Sequence, residues 1–130
     1  MTGISPFPGV AEAPLHSLRR GYGIAVVDRA IDDGRITLAE LDRLVLPRKT
    51  LAHRRVLGSL TPEQSDRLGR LLRTIDEAEE TFGDRAKAHV WLRRPTPLLD
   101  GESPLDRLDT DIGTRQVEAL LGRIAHGIAV

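Results

Sequence analysis

The chain has no cysteine and very few aromatic residues: its 130 residues include one Trp, one Tyr and two Phe. Without cysteine it cannot form disulfides or thiolate metal sites, which is compatible with a reducing cytoplasm. A hydrophobic core must therefore be built from Leu, Ile, Val and Ala. Leucine and alanine favour helices because they lose little conformational entropy there, so the composition predicts a helical protein.

Long apolar segments are also missing. No run approaches the roughly 20 apolar residues that a transmembrane helix needs. Residues 1–15 lack the basic start and the apolar centre of a signal peptide. We therefore expect a cytoplasmic protein that has no membrane partner.

Sites for metals, cofactors and catalysis are not expected either. No histidine has a partner at the spacing of a metal site. The sequence contains no glycine-rich phosphate loop, and none of its serines has the setting of a nucleophile. The four histidines are His16, His53, His89 and His126. These absences predict a protein that acts by binding and is not an enzyme.

The formal net charge is zero, but the charges are unevenly distributed. Residues 16–60 contain nine basic and five acidic side chains, whereas residues 61–130 contain ten basic and thirteen acidic ones. A basic half and an acidic half indicate two different partners, although an ordinary solvated surface gives the same pattern.

Helix start and stop signals organise the first part of the chain. Residues 1–15 contain proline and glycine without periodicity and are predicted to form a flexible tail. Thr37 with Glu40, and Thr61 with Gln64, have the spacing of capping boxes, and Pro47 breaks the chain between two helices. The expected helices span residues 17–31, 37–45, 48–57 and 61–82. In the third of these, Leu51 and either Val56 or Leu57 should point inward.

The same signals continue in residues 82–130. A short helix that Asp84 caps is apolar on nearly all sides and is expected to be well buried, and Asp111 is expected to cap the final helix. The only tryptophan, Trp91, serves either as a core anchor or as an interface anchor. The apolar end at residues 128–130 either folds back onto the core or inserts into a partner.

The two helices between Thr37 and Arg55 have the pattern of a helix-turn-helix DNA reader. Such proteins place the second helix in the major groove, where arginine pairs with guanine while lysine and hydroxyl groups bind phosphates. The alternative is a solvated basic helix in an ordinary bundle. The candidate DNA-binding residues are Arg48, Lys49, Thr50, His53, Arg54 and Arg55.

An ordered set of motifs in residues 82–127 closely resembles the toxin-binding domain of the Xre/MbcA/ParS antitoxins. The motifs are Phe82-Gly83-Asp84, Trp91-Leu92-x-x-Pro95, Pro97-x-Leu99-x-Gly101, Pro104-Leu105-Asp106 and Leu120-Leu121-x-x-Ile124-x-x-Gly127. Upstream, Thr50-Leu51-x-x-Arg54-Arg55 and the segment of residues 60–68 resemble the Xre-type helix-turn-helix. The resemblance implies an all-α fold in which a helix-turn-helix domain (residues 16–81) is joined by a long helix to a small toxin-binding domain (residues 82–130).

The resemblance also implies a function, that of the antitoxin in a type II toxin–antitoxin system. Such an antitoxin sterically inhibits a RES-domain toxin that degrades NAD, and it represses its own operon by binding operator DNA. We expect a homodimer that forms a hetero-oligomer with the toxin, with the apolar end inserted into the toxin's cleft. The candidate toxin-binding residues are Trp91, Arg94, Leu98, Leu99, Arg123, Gly127, Ile128, Ala129 and Val130.

Two other functions are compatible with the residues. The chain could be a stand-alone transcriptional regulator whose C-terminal part dimerises or binds an effector. It could also be an adaptor whose acidic half docks on another protein. A toxin gene beside this one would favour the antitoxin over both alternatives.

Overall fold

The structure is a computed structural model and describes residues 21–127. Its α-helices are α1 (Ile24–Asp32), α2 (Leu38–Leu44), α3 (Arg48–Leu57), α4 (Pro62–Phe82), α5 (Arg85–Arg93) and α6 (Asp111–Ala125). Two 3₁₀ turns, Pro97–Leu99 and Leu105–Asp109, lie between α5 and α6. The described residues contain one isolated antiparallel bridge, between Gly23 and Ser59, and no strand. The prediction of an all-α fold is confirmed.

The chain divides into two compact units, Met1–Arg73 and Thr74–Val130. Aliphatic side chains fill both cores, as the composition predicts. In the first unit the buried apolar residues are Tyr22, Val27, Ala30, Ile36, Leu41, Leu44, Val45, Leu46, Leu51, Leu60, Leu68, Leu71 and Leu72. In the second they are Ile75, Ala78, Ala88, Leu92, Leu99, Leu105, Leu108, Val117, Leu120 and Leu121.

Both predicted capping boxes are present. The hydroxyl of Thr37 accepts a hydrogen bond of 3.1 Å from the backbone of Glu40, whose carboxylate accepts one of 3.0 Å from the Thr37 backbone. Thr61 and Gln64 form the same reciprocal pair at 3.1 and 2.9 Å. The starts of α2 and α4 are thus fixed by local chemistry.

In the described residues, the first helix begins later than predicted. Residues 17–20 lie outside the described range, but residues 21–23 are not helical and α1 starts only at Ile24. Leu60 donates a backbone hydrogen bond of 2.8 Å to the carbonyl of Tyr22. Gly21 has a φ of +91°, and a Cβ there would lie 1.9 Å from the carbonyl oxygen of Leu60. At residues 21–23, pairing with residues 58–60 therefore takes the place of the helical hydrogen bonds that were predicted.

The second unit contains a turn clamped by Arg107, between α5 and α6. The Arg107 guanidinium donates a hydrogen bond of 2.9 Å to the carbonyl oxygen of Leu99 and forms an ion pair of 3.1 Å with Glu102. The final helix is capped by Thr110, whose hydroxyl accepts a hydrogen bond of 2.9 Å from the backbone N–H of Gly113. The prediction that Asp111 is the cap was therefore wrong by one residue. Asp111 instead occupies the first turn, where an acid favours the helix dipole.

Two predictions of burial were wrong. Val56 and Leu57 at the end of α3 are 84% and 56% exposed, because this helix is covered only on the side of Leu51. Helix α5 buries only Ala88 and Leu92, and Val90 is 53% exposed. A short helix that packs through one face leaves its other apolar residues at the surface.

None of the helices in residues 21–127 is long and apolar enough to cross a membrane.

Candidate functional site

The turn between α2 and α3 is fixed by two hydrogen bonds. Residues 45–47 separate the helices, and Pro47 provides no side-chain cap for α3. The carboxylate of Asp42 accepts a hydrogen bond of 2.7 Å from the backbone of Arg48 and serves in its place. The guanidinium of Arg67 donates a hydrogen bond of 3.0 Å to the carbonyl oxygen of Val45. The two helices therefore keep a defined turn, as a helix-turn-helix requires.

The first half of α3 presents basic side chains to solvent. Arg48, Lys49 and His53 are exposed, and Thr50 is half-buried. No ion pair joins Arg48, Lys49 or His53 to another residue of the described range. These four predicted residues can therefore reach an anionic partner such as the DNA backbone.

The two arginines at the end of α3 are engaged within the protein. Nε of Arg54 donates a hydrogen bond of 2.7 Å to the carbonyl oxygen of Ser59. The guanidinium of Arg55 holds the carboxylate of Asp28 in α1 through two contacts, of 2.9 and 3.2 Å. That hydrogen bond raises the pKa of Arg55 above its ordinary value. The structure thus separates Arg54 and Arg55 from the four unpaired residues earlier in α3.

The second unit contains an apolar groove of about 380 Å³, which we call the α5 groove. Its floor includes two aromatic rings, Phe82 and Trp91, whose centroids lie 5.5 Å apart with a tilt of 46°. The lining residues are Phe82, Ala86, Lys87, Val90, Trp91 and Arg94. All belong to the end of α4, to α5 and to its C-cap.

A hydrogen-bonded network occupies the neighbouring face of α5. His89 places Nε2 against the carboxylate of Glu79 and Nδ1 at 2.7 Å from the guanidinium of Arg93. Arg85 also lies 3.7 Å from Glu79. Because arginine only donates, Nδ1 accepts and the His89 proton is on Nε2, directed at Glu79. This network fixes α5 on the end of α4 and so holds one wall of the α5 groove in place.

The predicted toxin-binding residues are dispersed. The structure brings Trp91 and Arg94 together in the α5 groove. Leu98, which is 53% exposed, and Arg123 are at the surface but do not line it. Leu99 is only 4% exposed, so its side chain belongs to the core and cannot form an interface. Gly127 is exposed.

Ile128, Ala129 and Val130, the end predicted to enter the toxin, lie outside the described residues.

Sequence reasoning missed four residues of the α5 groove, which are Phe82, Ala86, Lys87 and Val90. A signal was present: Lys87, Val90, Trp91 and Arg94 follow the i, i+3, i+4, i+7 spacing of one helix face. The sequence predicts a buried Val90, whereas Trp91 was expected either in the core or at an interface.

Three carboxylates come together between α4 and α6. Burial, followed by the negative charges of Glu118 and Glu80, raises the pKa of Glu77 above its ordinary value of 4.5. In the part of the chain that the structure describes, no group of three histidine, cysteine or acidic side chains has the arrangement of a metal site.

Each of the two units matches a known family of domains. Residues 13–73 match the antitoxin Xre-like helix-turn-helix domain, and residues 77–127 match the antitoxin Xre/MbcA/ParS C-terminal toxin-binding domain. A protein named Antitoxin Xre from Yersinia enterocolitica is 36% identical over 117 residues, which cover 88% of this chain and 79% of the relative. Another of the same name from Pseudomonas putida is 35% identical over 108 residues, covering 82% and 67% of the two chains.

A third relative carries a different name. The Prs ADP-ribosylating antitoxin of a Sphingobium species is 36% identical over 77 residues, which cover 52% of this chain and 48% of the relative. With both domains matched in order, and with relatives similar over most of their length, this chain belongs to the Xre/MbcA/ParS family of antitoxins and combines a helix-turn-helix domain with a toxin-binding domain.

Proposed function

We propose that this antitoxin neutralises a RES-domain toxin that degrades NAD and represses the operon that encodes both proteins. It would act in the cytoplasm, bind its operator as a homodimer and form a hetero-oligomer with the toxin. One observation carries the proposal: a single chain joins a helix-turn-helix with an exposed basic start of α3 to a domain of the toxin-binding family. Inhibition is steric and needs no chemistry from this chain.

The toxin half of the proposal is tested by co-expression with the neighbouring reading frame. We expect that frame, expressed alone, to arrest growth and deplete cellular NAD. Co-expression with the antitoxin should restore both. A neighbouring product that leaves NAD unchanged would contradict the RES assignment, and the absence of a toxic neighbour would favour the stand-alone regulator or the adaptor.

The DNA half is tested separately, by measuring binding of the antitoxin, and of its toxin complex, to the promoter of its own operon. We expect binding that weakens steeply with salt, because Lys and Arg contacts to phosphates release counterions. A palindromic footprint would support a homodimer. Binding no tighter than to unrelated DNA of equal length would contradict autoregulation.

The contribution of the chain's end can be isolated by deleting residues 127–130. If these residues insert into the toxin, the truncated protein should lose protection while its helical content and its DNA binding remain those of the full chain. A truncated protein that still restores growth and NAD would contradict insertion.

A second candidate activity of the toxin is suggested by the name of the Sphingobium relative, which refers to ADP-ribosylation. ADP-ribosylation also consumes NAD, but it transfers the ADP-ribose to an acceptor. NAD labelled in its adenine moiety separates the two possibilities. Label that stays in small molecules supports NAD degradation, whereas label that becomes attached to a protein supports transfer.

A further inference from the structure

We propose that the α5 groove is a docking site for an acidic, apolar segment of the toxin. An apolar side chain of that segment would enter the groove between Phe82, Val90 and Trp91, and carboxylates beside it would bind Lys87 and Arg94. The inference rests on the proposed function, because the occupant is the toxin, and it adds a contact that is separate from the chain's end.

The apolar part of the groove is built to receive a side chain. Val90 is more than half exposed, Trp91 is half-buried, and the ring centroids of Phe82 and Trp91 lie 5.5 Å apart. The indole N–H of Trp91 forms no hydrogen bond with another described residue. The volume of about 380 Å³ is in the range of ligand pockets, which run from roughly 300 to 1,000 Å³. Tryptophan and arginine are also the residue types that carry most binding energy at interfaces.

The charge at the rim determines the chemistry of the occupant. Lys87 and Arg94 are exposed, and neither forms an ion pair within residues 21–127. By contrast, Arg85 and Arg93 on the neighbouring face are engaged with Glu79 and His89. The groove thus combines an apolar floor with two uncompensated cations, and carboxylates on the incoming segment would complement them.

The spacing of the two cations restricts the segment further. Lys87 and Arg94 are seven positions apart, or about 10 Å along a helix axis. Two carboxylates match that separation, and face the same side, when they are about seven residues apart on a helix. An apolar residue three or four positions after the first carboxylate lies on the same helix face and meets the floor of the groove.

The location of the groove identifies the occupant as the toxin. All six lining residues fall within residues 77–127, the part that matches the toxin-binding domain. They also precede the end of the chain by more than thirty residues. Toxin binding would then use two separate contacts, the α5 groove and the end.

Two variants and a control test the proposal by calorimetric titration with the co-purified toxin. Val90→Glu places a carboxylate where an apolar side chain of the toxin is expected. The double variant Lys87→Glu with Arg94→Glu reverses the charge at the rim of the groove. The control is Arg115→Glu, because Arg115 is an exposed cation of α6 outside the groove, with its side chain 77% exposed. We expect about tenfold or greater loss of affinity for each groove variant and a change of about twofold or less for the control. The double variant should also lose most of the salt dependence.

Thermal melting of the free variants shows whether they fold, and all replaced side chains are at the surface. Unchanged affinity of both groove variants, with wild-type antitoxin still binding and protecting, would overturn the groove while leaving the proposed function intact. Failure of the wild-type chain to bind the neighbouring product would overturn both. A photo-crosslinker in place of Val90 identifies the occupant: a link to the toxin supports the proposal, whereas a link to DNA, a link to a second copy, or no link in the intact complex overturns it.

Discussion

Arg55 and Asp28 form an ion pair, with 2.9 Å between Nη2 and Oδ1 and a second contact of 3.2 Å. The pair joins α3 to α1, and its arginine is one of the residues that were predicted to bind DNA. Both side chains remain about half exposed, so water screens the pair and its contribution to stability is about 0–1 kcal/mol. A DNA phosphate can therefore compete with Asp28 for Arg55, because breaking the ion pair costs little free energy of folding.

Asp28→Asn should strengthen binding to the promoter because it releases Arg55 and removes a negative charge beside it. We expect a gain of up to about fivefold, a salt dependence steeper by about one unit of slope, and a loss of stability below about 1 kcal/mol. Fluorescence anisotropy with labelled promoter DNA at several salt concentrations measures the first two, and thermal melting the third.

Asp32→Asn is the matched control, since Asp32 is an exposed acid of the same helix. It changes the net charge equally but leaves the Arg55 ion pair in place. If both variants gain affinity equally, the effect comes from net charge and Asp28 has no specific hold on Arg55.

Lys49→Ala and Arg54→Ala should have opposite profiles. Lys49 is exposed, so its loss should weaken DNA binding and reduce the salt slope by about one without changing the melting temperature. Arg54 donates to the carbonyl of Ser59, so its loss should lower the free energy of unfolding by about 1–2 kcal/mol. Chemical denaturation and promoter binding on both variants check the pair. An Arg54→Ala protein of full stability and weakened DNA binding would contradict the structural role.

The sequence predicted features that depend on near neighbours. The capping boxes at Thr37 and Thr61 and the break at Pro47 are set by residues within four positions of each other, so their chemistry could be read directly. The prediction that residues 21–23 are helical was wrong because Tyr22 pairs with Leu60, which is distant in sequence. Helical propensity alone does not contain that contact.

The site was less predictable than the fold for the same reason. The Arg55–Asp28 pair spans 27 residues, and nothing near Arg55 indicates it. Exposure of Val90 depends on which face of α5 packs inward, and this helix carries apolar residues on more than one face. The family resemblance supplied the partner, but only three-dimensional contacts show which cations remain free.

Gly113→Ala and Gly122→Ala, both in α6, should change stability in opposite directions. A Cβ at Gly113 would lie 1.9 Å from the carbonyl oxygen of Arg107, so this substitution should cost about 1–3 kcal/mol or more. A Cβ at Gly122 meets nothing within 4 Å, and replacing a helical glycine by alanine should add about 0.5–1 kcal/mol. Urea denaturation of the two variants measures both. Equal signs would show that the close approach of Gly113 to Arg107 is relieved by backbone movement.

Glu77→Gln should stabilise the protein at neutral pH. Burial and two nearby carboxylates raise the pKa of Glu77 in the folded state, so between its ordinary value and the raised one the folded chain binds more protons than the unfolded chain. Stability from this group is therefore present at low pH and is lost as pH rises through the raised pKa. The variant should melt higher than wild type at pH 7, and the difference should shrink as pH falls towards about 4.5.

Glu63→Gln is the contrasting substitution in the same helix. Glu63 is exposed in the first turn of α4, where its charge favours the helix dipole. Its replacement should lower stability slightly at pH 7. A rise in the melting temperature for both glutamates would point to net charge as the cause and not to the burial of Glu77.

The two rare chromophores lie in different units: Tyr22 belongs to Met1–Arg73 and Trp91 to Thr74–Val130. Each unit therefore has its own optical reporter without any labelling. Unfolding of the first unit exposes the tyrosine and changes its ultraviolet absorbance, while unfolding of the second changes the emission of the tryptophan. One denaturation series read at both signals measures whether the units melt as a single cooperative body or one after the other.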